Sequence, residues 1–282
     1  MAEDPGTNSP VRLAFRIGYI GTSFSGSQFQ PDKRTVEGEI EAALMRAGVI
    51  VDRKKSRLAL SGRTDRGVHA KSQILAISTT KPDLALRSLN GQLPPDIWAT
   101  HWSRVSSDFY PRYDVESRTY RFYYAKKPSD IRAMKEAAPL FLGTHDFTCF
   151  ARLEPGKNPI KSIDRISLEI EQSWCRMEIT ANSYLWHMVR CIASALFCIS
   201  EGMLTISQLE KCLSGRCRQK MKPAQPDGLI LWAVNTNLTW QEMIMPGLKS
   251  RQIRERGEYY RLLGEVHSLL FPEIIKDPAQ PY

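Results

Sequence analysis

Between Val11 and Ile20 apolar residues alternate with polar or small ones, and Leu13, Phe15, Ile17 and Tyr19 fall on one face. A period of two over this length marks a half-buried strand. The segments that follow change period in a set order, and that order limits the fold more than any one of them does. Gly21, Gly26 and Pro31 break the strand into a loop. From Thr35 the period becomes helical, with Val36, Ile40, Ala43, Leu44 and Ala47 on a buried stripe. Strands are expected at about 57–62 and 71–79, a helix at about 83–90 and a strand at about 97–105, with Pro94-Pro95 between the last two. A second cycle opens near Arg118 with the aromatic strand Arg118–Tyr124. It continues as a helix at about 130–141, a hairpin of strands at about 161–171 and 173–182, and a helix from about Ser183 to Glu201 that stops before Gly202. A helix at about 205–213 and a buried strand at 229–234 complete it. There is no fixed-period repeat, but each half mixes strands with helices, which points to an α+β fold with helices on one face of its sheets.

At 282 residues, with 42% hydrophobic and 24% charged residues, the chain can bury one large core or two modest ones. Lys and Arg exceed Asp and Glu by 39 − 30 = 9, and the sequence pI is near 9.3, which favours an acidic partner such as nucleic acid. The six cysteines (Cys149, Cys175, Cys191, Cys198, Cys212 and Cys217) form no Cys-x-x-Cys pair and have no histidines at metal-ligand spacing, so spacing predicts neither a zinc site nor a disulfide framework. The first ten residues are polar and slightly acidic, unlike a secretory or transit peptide. The longest apolar run, Cys191 to Ile199, is too short to span a bilayer. A reducing, cytoplasmic setting without a membrane partner is the expectation.

The densest chemistry lies in residues 61–70, SGRTDRGVHA, a glycine-bounded polar loop between two strand-like runs. From Arg53 through Lys71 there are seven basic side chains (Arg53, Lys54, Lys55, Arg57, Arg63, Arg66 and Lys71) and one acidic one, Asp65. Nearby cations favour the ionised carboxylate, an ionised carboxylate on a loop is a competent nucleophile, and the same cations would hold a polyanion over it. Thr-Asp-Arg-Gly is also good turn chemistry, in which the Asp bonds its own backbone.

The string SGRTDRGVHA closely resembles the GRTDxGVHA motif of the TruA family of tRNA pseudouridine synthases. Further segments resemble that family in the right order. They are Gly18-Tyr19-Ile20-Gly21-Thr22 with Phe24, Gly26 and Gln28; Phe109-Tyr110-Pro111-Arg112-Tyr113; Ser117-Arg118-Thr119-Tyr120-Arg121-Phe122; Asn182 through Arg190; and Gly228-Leu229. The resemblance implies that Asp65 is the nucleophile attacking the target uridine, that Tyr120 stacks against the flipped base where a proton moves, and that Arg190 pairs with the Asp65 carboxylate. Arg63 would enter the RNA stack and help expel the uridine. Arg66, Arg112, Arg118 and Leu229, in the matched segments, are expected to contact substrate. It also implies a homodimer that shares one tRNA and acts in the anticodon stem-loop, just 3′ of the anticodon. The full architectural expectation is two similar α+β halves with mixed or antiparallel sheets, RRM-like or ferredoxin-like, joined around a central basic cleft. Their bounds are 1–108 with the catalytic loop and 109–245, followed by an extension at 246–282 that is either helical or an RNA-contacting arm.

The chemistry agrees with that assignment. Uridine becomes pseudouridine when an N–C glycosidic bond is exchanged for a C–C bond, with no redox change and no atom lost, so no nicotinamide, flavin or metal is called for. A stacked base must be flipped out, at a cost of a few kcal/mol. An Arg plane can replace the lost stacking, and a Tyr ring can receive the base. Other readings of the same residues stay open here. Arg190 could serve a structural ion pair, Tyr120 could be a core aromatic beside Phe122 and Tyr124, and His69 and His187 receive no catalytic role. The basic run Arg216 to Lys222 is expected to border the RNA groove. Three positions depart from the family pattern: Ser27 replaces a tryptophan, Arg66 an alanine and Ser194 a glycine. The alternatives to an isomerase are a catalytically silent RNA-binding or RNA-folding protein, and a metal-dependent phosphoryl enzyme, which would need more carboxylates than surround Asp65.

Overall fold

The computed structural model describes residues 9–170, 174–217 and 219–270. The expected strand from Val11 forms as β1 (Val11–Tyr19), and its alternating apolar face lies in the core. Helix α1 (Val36–Arg46) starts where the sequence placed it. Thr35 caps it by accepting from the Gly38 N–H, and Val36, Ile40, Ala43 and Leu44 are buried. The N-terminal half continues through β2 (Ala59–Leu60), β3 (His69–Thr79), α2 (Pro82–Gln92) and β4 (Ile97–Arg104). The C-terminal half contains β5 (Ser117–Tyr124), α3 (Ile131–Ala137), β6 (Gly143–Asp146), β7 (Ile160–Ile163), β8 (Arg165–Ile170), β9 (Cys175–Ala181), α4 (Met188–Ser200), α5 (Ile206–Leu213) and β10 (Leu229–Asn235). The short β11 (Gln241–Glu242) and the helix α6 (Gly247–Leu270) follow. The fold is therefore α+β. Among the described residues no helix is long and apolar enough to cross a membrane.

Nine strands make one mixed sheet in the order β11-β4-β1-β3-β10-β5-β9-β8, with β2 added to β3, while β6 and β7 pair separately. Every pairing in the large sheet is antiparallel except that of β3 with β10, where Ile230 faces His69 and Leu231 faces Ala70. This parallel seam joins the two halves. Cross-strand partners share a face of a sheet. Tyr19 opposite Ala70, Ala70 opposite Leu231, and Leu231 opposite Tyr120 thus form one rank across β1, β3, β10 and β5. Helix α4 packs on that face, where the Tyr124 hydroxyl donates to the Ala193 carbonyl at 3.1 Å and the Tyr124 ring stacks with Phe197.

Several expected boundaries move. The strand expected at 57–62 shrinks to two residues, because Asp52 to Leu58 turns back on itself with Arg57 at φ 47°. The strand expected at about 161–171 is broken at Asp164. Its first part pairs with β6 and its second with β9, so one run of sequence serves two sheets. The turn of the expected hairpin, 171–173, lies outside the described residues, as do 1–8, Arg218 and 271–282. The helix expected from Ser183 begins five residues later, at Met188, because His187 adopts a left-handed backbone (φ 66°) and Trp186 bridges to Arg152 instead. The C-terminal extension is helical over Gly247–Leu270, anchored by the Lys249 ammonium on the Leu93 and Pro94 carbonyls.

Candidate active site

The loop that carries Asp65 is fastened from below. The Thr64 N–H donates to the Ser27 hydroxyl at 2.8 Å, and the Ser27 N–H donates to the Thr64 carbonyl at 3.0 Å. The Thr64 hydroxyl also shares a 2.8 Å hydrogen bond with the buried Tyr19 hydroxyl. Burial drives the Tyr19 phenol up to about 12, so it stays protonated and able to make this bond. The serine that departs from the family pattern thus grips the residue before Asp65 through both its backbone and its side chain. After Asp65 the chain turns sharply, with the Val68 N–H donating to the Asp65 carbonyl and Gly67 at φ 85°. A side chain at Gly67 would be strained by that φ and would strike the Pro226 ring.

Asp65 therefore projects toward the C-terminal half. Its Oδ2 accepts from Arg190 Nη1 at 2.8 Å, and its Oδ1 accepts from Trp186 Nε1 at 3.0 Å. His187 Nε2 lies 3.5 Å from Oδ2. Arg190 is itself fixed, because its Nε donates to the Ala224 carbonyl at 2.7 Å. Its side chain is only 12% exposed, and charge-assisted bonds of this kind are about twice as strong as neutral ones. Trp186 is stacked beneath the Arg152 guanidinium at 4.3 Å and remains 40% exposed. The late start of α4 is what allows this. With His187 left-handed, Trp186 leaves the helix and points its N–H at the carboxylate, while Arg190 follows in the first turn. Burial lowers the His187 pKa, Asp65 opposes that shift, and Arg190 and Arg152 reinforce it.

Tyr120 lies two strands from Ala70 along the Tyr19–Tyr120 rank, on the α4 face and buried, edge-on to Tyr184 with ring centroids 5.1 Å apart. Burial holds its phenol above the ordinary value, Tyr19 and the Asp65 charge push the same way, and Arg118 opposes them. Tyr120 keeps its proton in this environment.

The remaining expected residues divide by exposure. Arg63 is half exposed and makes a 3.5 Å contact to Glu154, and Arg66 and Arg112 are exposed. Arg118 is buried, and its guanidinium is committed to the carbonyls of Asn182, Ser61 and Arg112 at 2.6, 2.8 and 2.7 Å. It bolts the start of the Asp65 loop to the C-terminal half. Leu229 is buried at the start of β10, opposite Phe122. His69 accepts from the Gly21 N–H at Nδ1 and faces the Asp227 carbonyl with Nε2, so it is a neutral brace between the halves. Beside the loop a groove is lined by Gln28, Phe29, Arg53, Lys54, Arg57 and Tyr110, with the Arg53 guanidinium 3.8 Å over the Phe29 ring.

Sequence reasoning missed Trp186, Arg152 and the Ala224 carbonyl. For Trp186 a signal was present, since it stands four residues before Arg190 in the matched segment. Nothing in the sequence marks Arg152 or Ala224, which arrive through long-range pairing.

Comparison with known proteins points to one family. A family model described as tRNA pseudouridine synthase matches residues 137–237. A protein named tRNA pseudouridine synthase A from Methanosphaerula palustris is 46% identical over 230 residues, covering 82% of this chain and 82% of its own length. One from Methanoculleus marisnigri is 38% identical over 96% of this chain and 98% of its own length. The Pyrococcus furiosus protein of the same name is 37% identical over 94% and 98%. Together with the motifs built around Asp65, these similarities establish that the chain belongs to the TruA family of tRNA pseudouridine synthases, isomerases that act on tRNA.

Proposed function

We propose that this protein isomerises uridine to pseudouridine in the anticodon stem-loop of tRNA, just 3′ of the anticodon, with Asp65 as nucleophile. The observation that carries the reading is the Asp65 carboxylate, held by one N–H from Trp186 and one from Arg190 at the seam between the halves. Two donors, one on each oxygen, keep the carboxylate oriented. Arg63, loosely held at the surface, fills the stack as the uridine leaves it, and Tyr120 receives the base. Asp65 attacks the uridine and the N–C glycosidic bond breaks. The detached base turns within the pocket, and a C–C bond forms to the same sugar carbon. The proton displaced from the base carbon is balanced by one gained at the freed nitrogen, and the Asp65 carboxylate is released unchanged. Arg66, Arg112 and the groove residues Arg53, Lys54 and Arg57 meet phosphates, while Arg118 and Leu229 act by positioning the loop and the sheet beneath the base.

Each half, within 1–108 and 109–245, is read as one version of a β-α-β-β-α-β, ferredoxin-like unit, with 246–282 as an addition. The strand orders β4-β1-β3-β2 and β10-β5-β9-β8 support this, since each runs fourth, first, third, second within its unit. A homodimer and a cytoplasmic setting belong to the same reading, and six cysteines free of disulfides suit a reducing compartment.

The test is pseudouridine mapping on unmodified tRNA transcripts incubated with the protein and with Asp65→Ala. New pseudouridines 3′ of the anticodon are expected only with the unmutated protein. Asp65→Ala should retain tRNA affinity within a few-fold, because phosphate contacts dominate binding. Turnover surviving in Asp65→Ala would remove the nucleophile assignment. Binding without turnover by the unmutated protein on any tRNA would favour the silent RNA-binding alternative.

A further inference from the structure

Away from Asp65 the fold assembles a cluster that spacing does not foretell. Cys149 sits in the short helical turn Thr148–Phe150, Cys212 in the last turn of α5, and Cys217 in the loop beyond. Their three sulfurs all lie within 4.8 Å of one another, and all three are free thiols. A tetrahedral zinc with bonds of about 2.3 Å needs its sulfurs about 3.8 Å apart, a modest contraction from this arrangement. The Cys212–Cys217 turn is already shaped for it. Gly215 there has φ 72°, and a side chain in its place would meet the Asp146 carboxylate at 2.8 Å, so the turn is pressed against β6. The sulfur of Cys217 accepts the Gln219 N–H at 3.3 Å, the type of backbone bond that supports a metal-bound thiolate. Lys220 donates to the Thr148 carbonyl, which puts a cation beside thiols that would become anions.

We propose that Cys149, Cys212 and Cys217 bind one thiophilic divalent cation, zinc, as a structural staple. Binding displaces three thiol protons to solvent and leaves three thiolates around the metal. Among the described residues no fourth Cys, His, Asp or Glu joins the three within the same span. The chain leaving the cluster leads directly to the catalytic pair. The Met221 N–H donates to the Cys149 carbonyl at 2.8 Å, and the Ala224 N–H donates to the Arg190 carbonyl at 3.1 Å. The Ala224 carbonyl in turn accepts from Arg190 Nε. Zinc therefore pins one end of a strap whose other end fixes the arginine that holds Asp65. The metal takes no part in the isomerisation.

The full-length reduced protein is titrated with Co2+ and then Zn2+. One Co2+ per chain should bind with thiolate-to-cobalt charge-transfer absorption, and one equivalent of Zn2+ should displace it. Cys217→Ser, at the most accessible ligand, should weaken binding by more than about tenfold. Cys198→Ser, in α4 and outside the cluster, should leave it unchanged. X-ray absorption of the zinc-loaded unmutated protein should give three sulfur neighbours at about 2.3 Å and needs no variant to fold. Zinc loading should also slow amide exchange at Met221 and Ala224. Absence of stoichiometric uptake, a nitrogen and oxygen shell, or unaltered binding by a folded Cys217→Ser would overturn the site. Zinc binding without protection at Ala224 would overturn the strap. None of these readouts depends on turnover.

Discussion

At the scale of single residues, the chemistry turns on how a carboxylate can be held without being used up. A second cation at Asp65 would hold it harder but would blunt the attack proposed for it. The neutral indole N–H of Trp186 orients one oxygen while Arg190 takes the other. Trp186→Phe leaves an aromatic ring for Arg152 to stack on and removes the indole N–H together with its pyrrole ring. A hydrogen bond to a charged group is worth about 1.5–3 kcal/mol, so kcat should fall by roughly tenfold to a hundredfold. KM for tRNA should barely move, and steady-state kinetics on a single tRNA transcript would reveal the split. A rise in KM at constant kcat would make Trp186 a binding residue instead. The pairing of Asp65 with Arg190 was legible in the sequence because both lie inside short matched segments. Trp186 lies inside one too, but its role depends on His187 being left-handed, a backbone choice that periodicity does not report.

At the scale of elements, boundaries were read well where local chemistry sets them and poorly where tertiary pairing does. Thr35 caps α1 through its own side chain, and Gly202 (φ 70°) follows α4 where a left-handed residue is needed. The split of 161–171 between two sheets and the shortness of β2 are decided by distant partners. The C-terminal end of α4 allows a direct test. The Glu201 carboxylate accepts from the Ser129 N–H at 2.9 Å and from Lys126 at 3.1 Å, tying α4 to the approach to α3. The Ser129 N–H is the main cause of a carboxyl pKa lowered from 4.5 to about 2. A depressed carboxyl pKa means that the folded state binds fewer protons than the unfolded one between those values. The contribution of Glu201 is complete above about pH 4.5 and is lost as pH falls toward 2. Glu201→Gln should lower the melting temperature at pH 7 and flatten its dependence on pH in the acid range. An acid-range slope equal to that of the unmutated protein would exclude Glu201 from the linkage.

At the scale of the whole molecule, an excess of nine basic side chains and the groove beside the Asp65 loop make tRNA binding a polyelectrolyte problem. If six or more phosphates are neutralised, affinity should drop by roughly 10³-fold or more between 50 and 200 mM salt. Filter binding across that range would show it, and a flat response would argue against an extended RNA contact. The α+β class and the mixed order of elements were visible in the sequence. The single sheet running through both halves was not, because one parallel contact of two residue pairs, β3 with β10, creates it. That seam has a consequence for the life of the chain before it is complete. Asp65 and the Arg190 that holds it stand 125 residues apart and meet across the seam. A nascent or truncated chain that has folded its first half alone carries Asp65 with neither Trp186 nor Arg190, and with Asp65 as the proposed nucleophile such a chain would have no oriented carboxylate to turn on passing RNA. Two separately expressed halves should each be inert and recover turnover only when mixed. On the proposed reading, the seam makes catalytic competence wait for both halves of the fold.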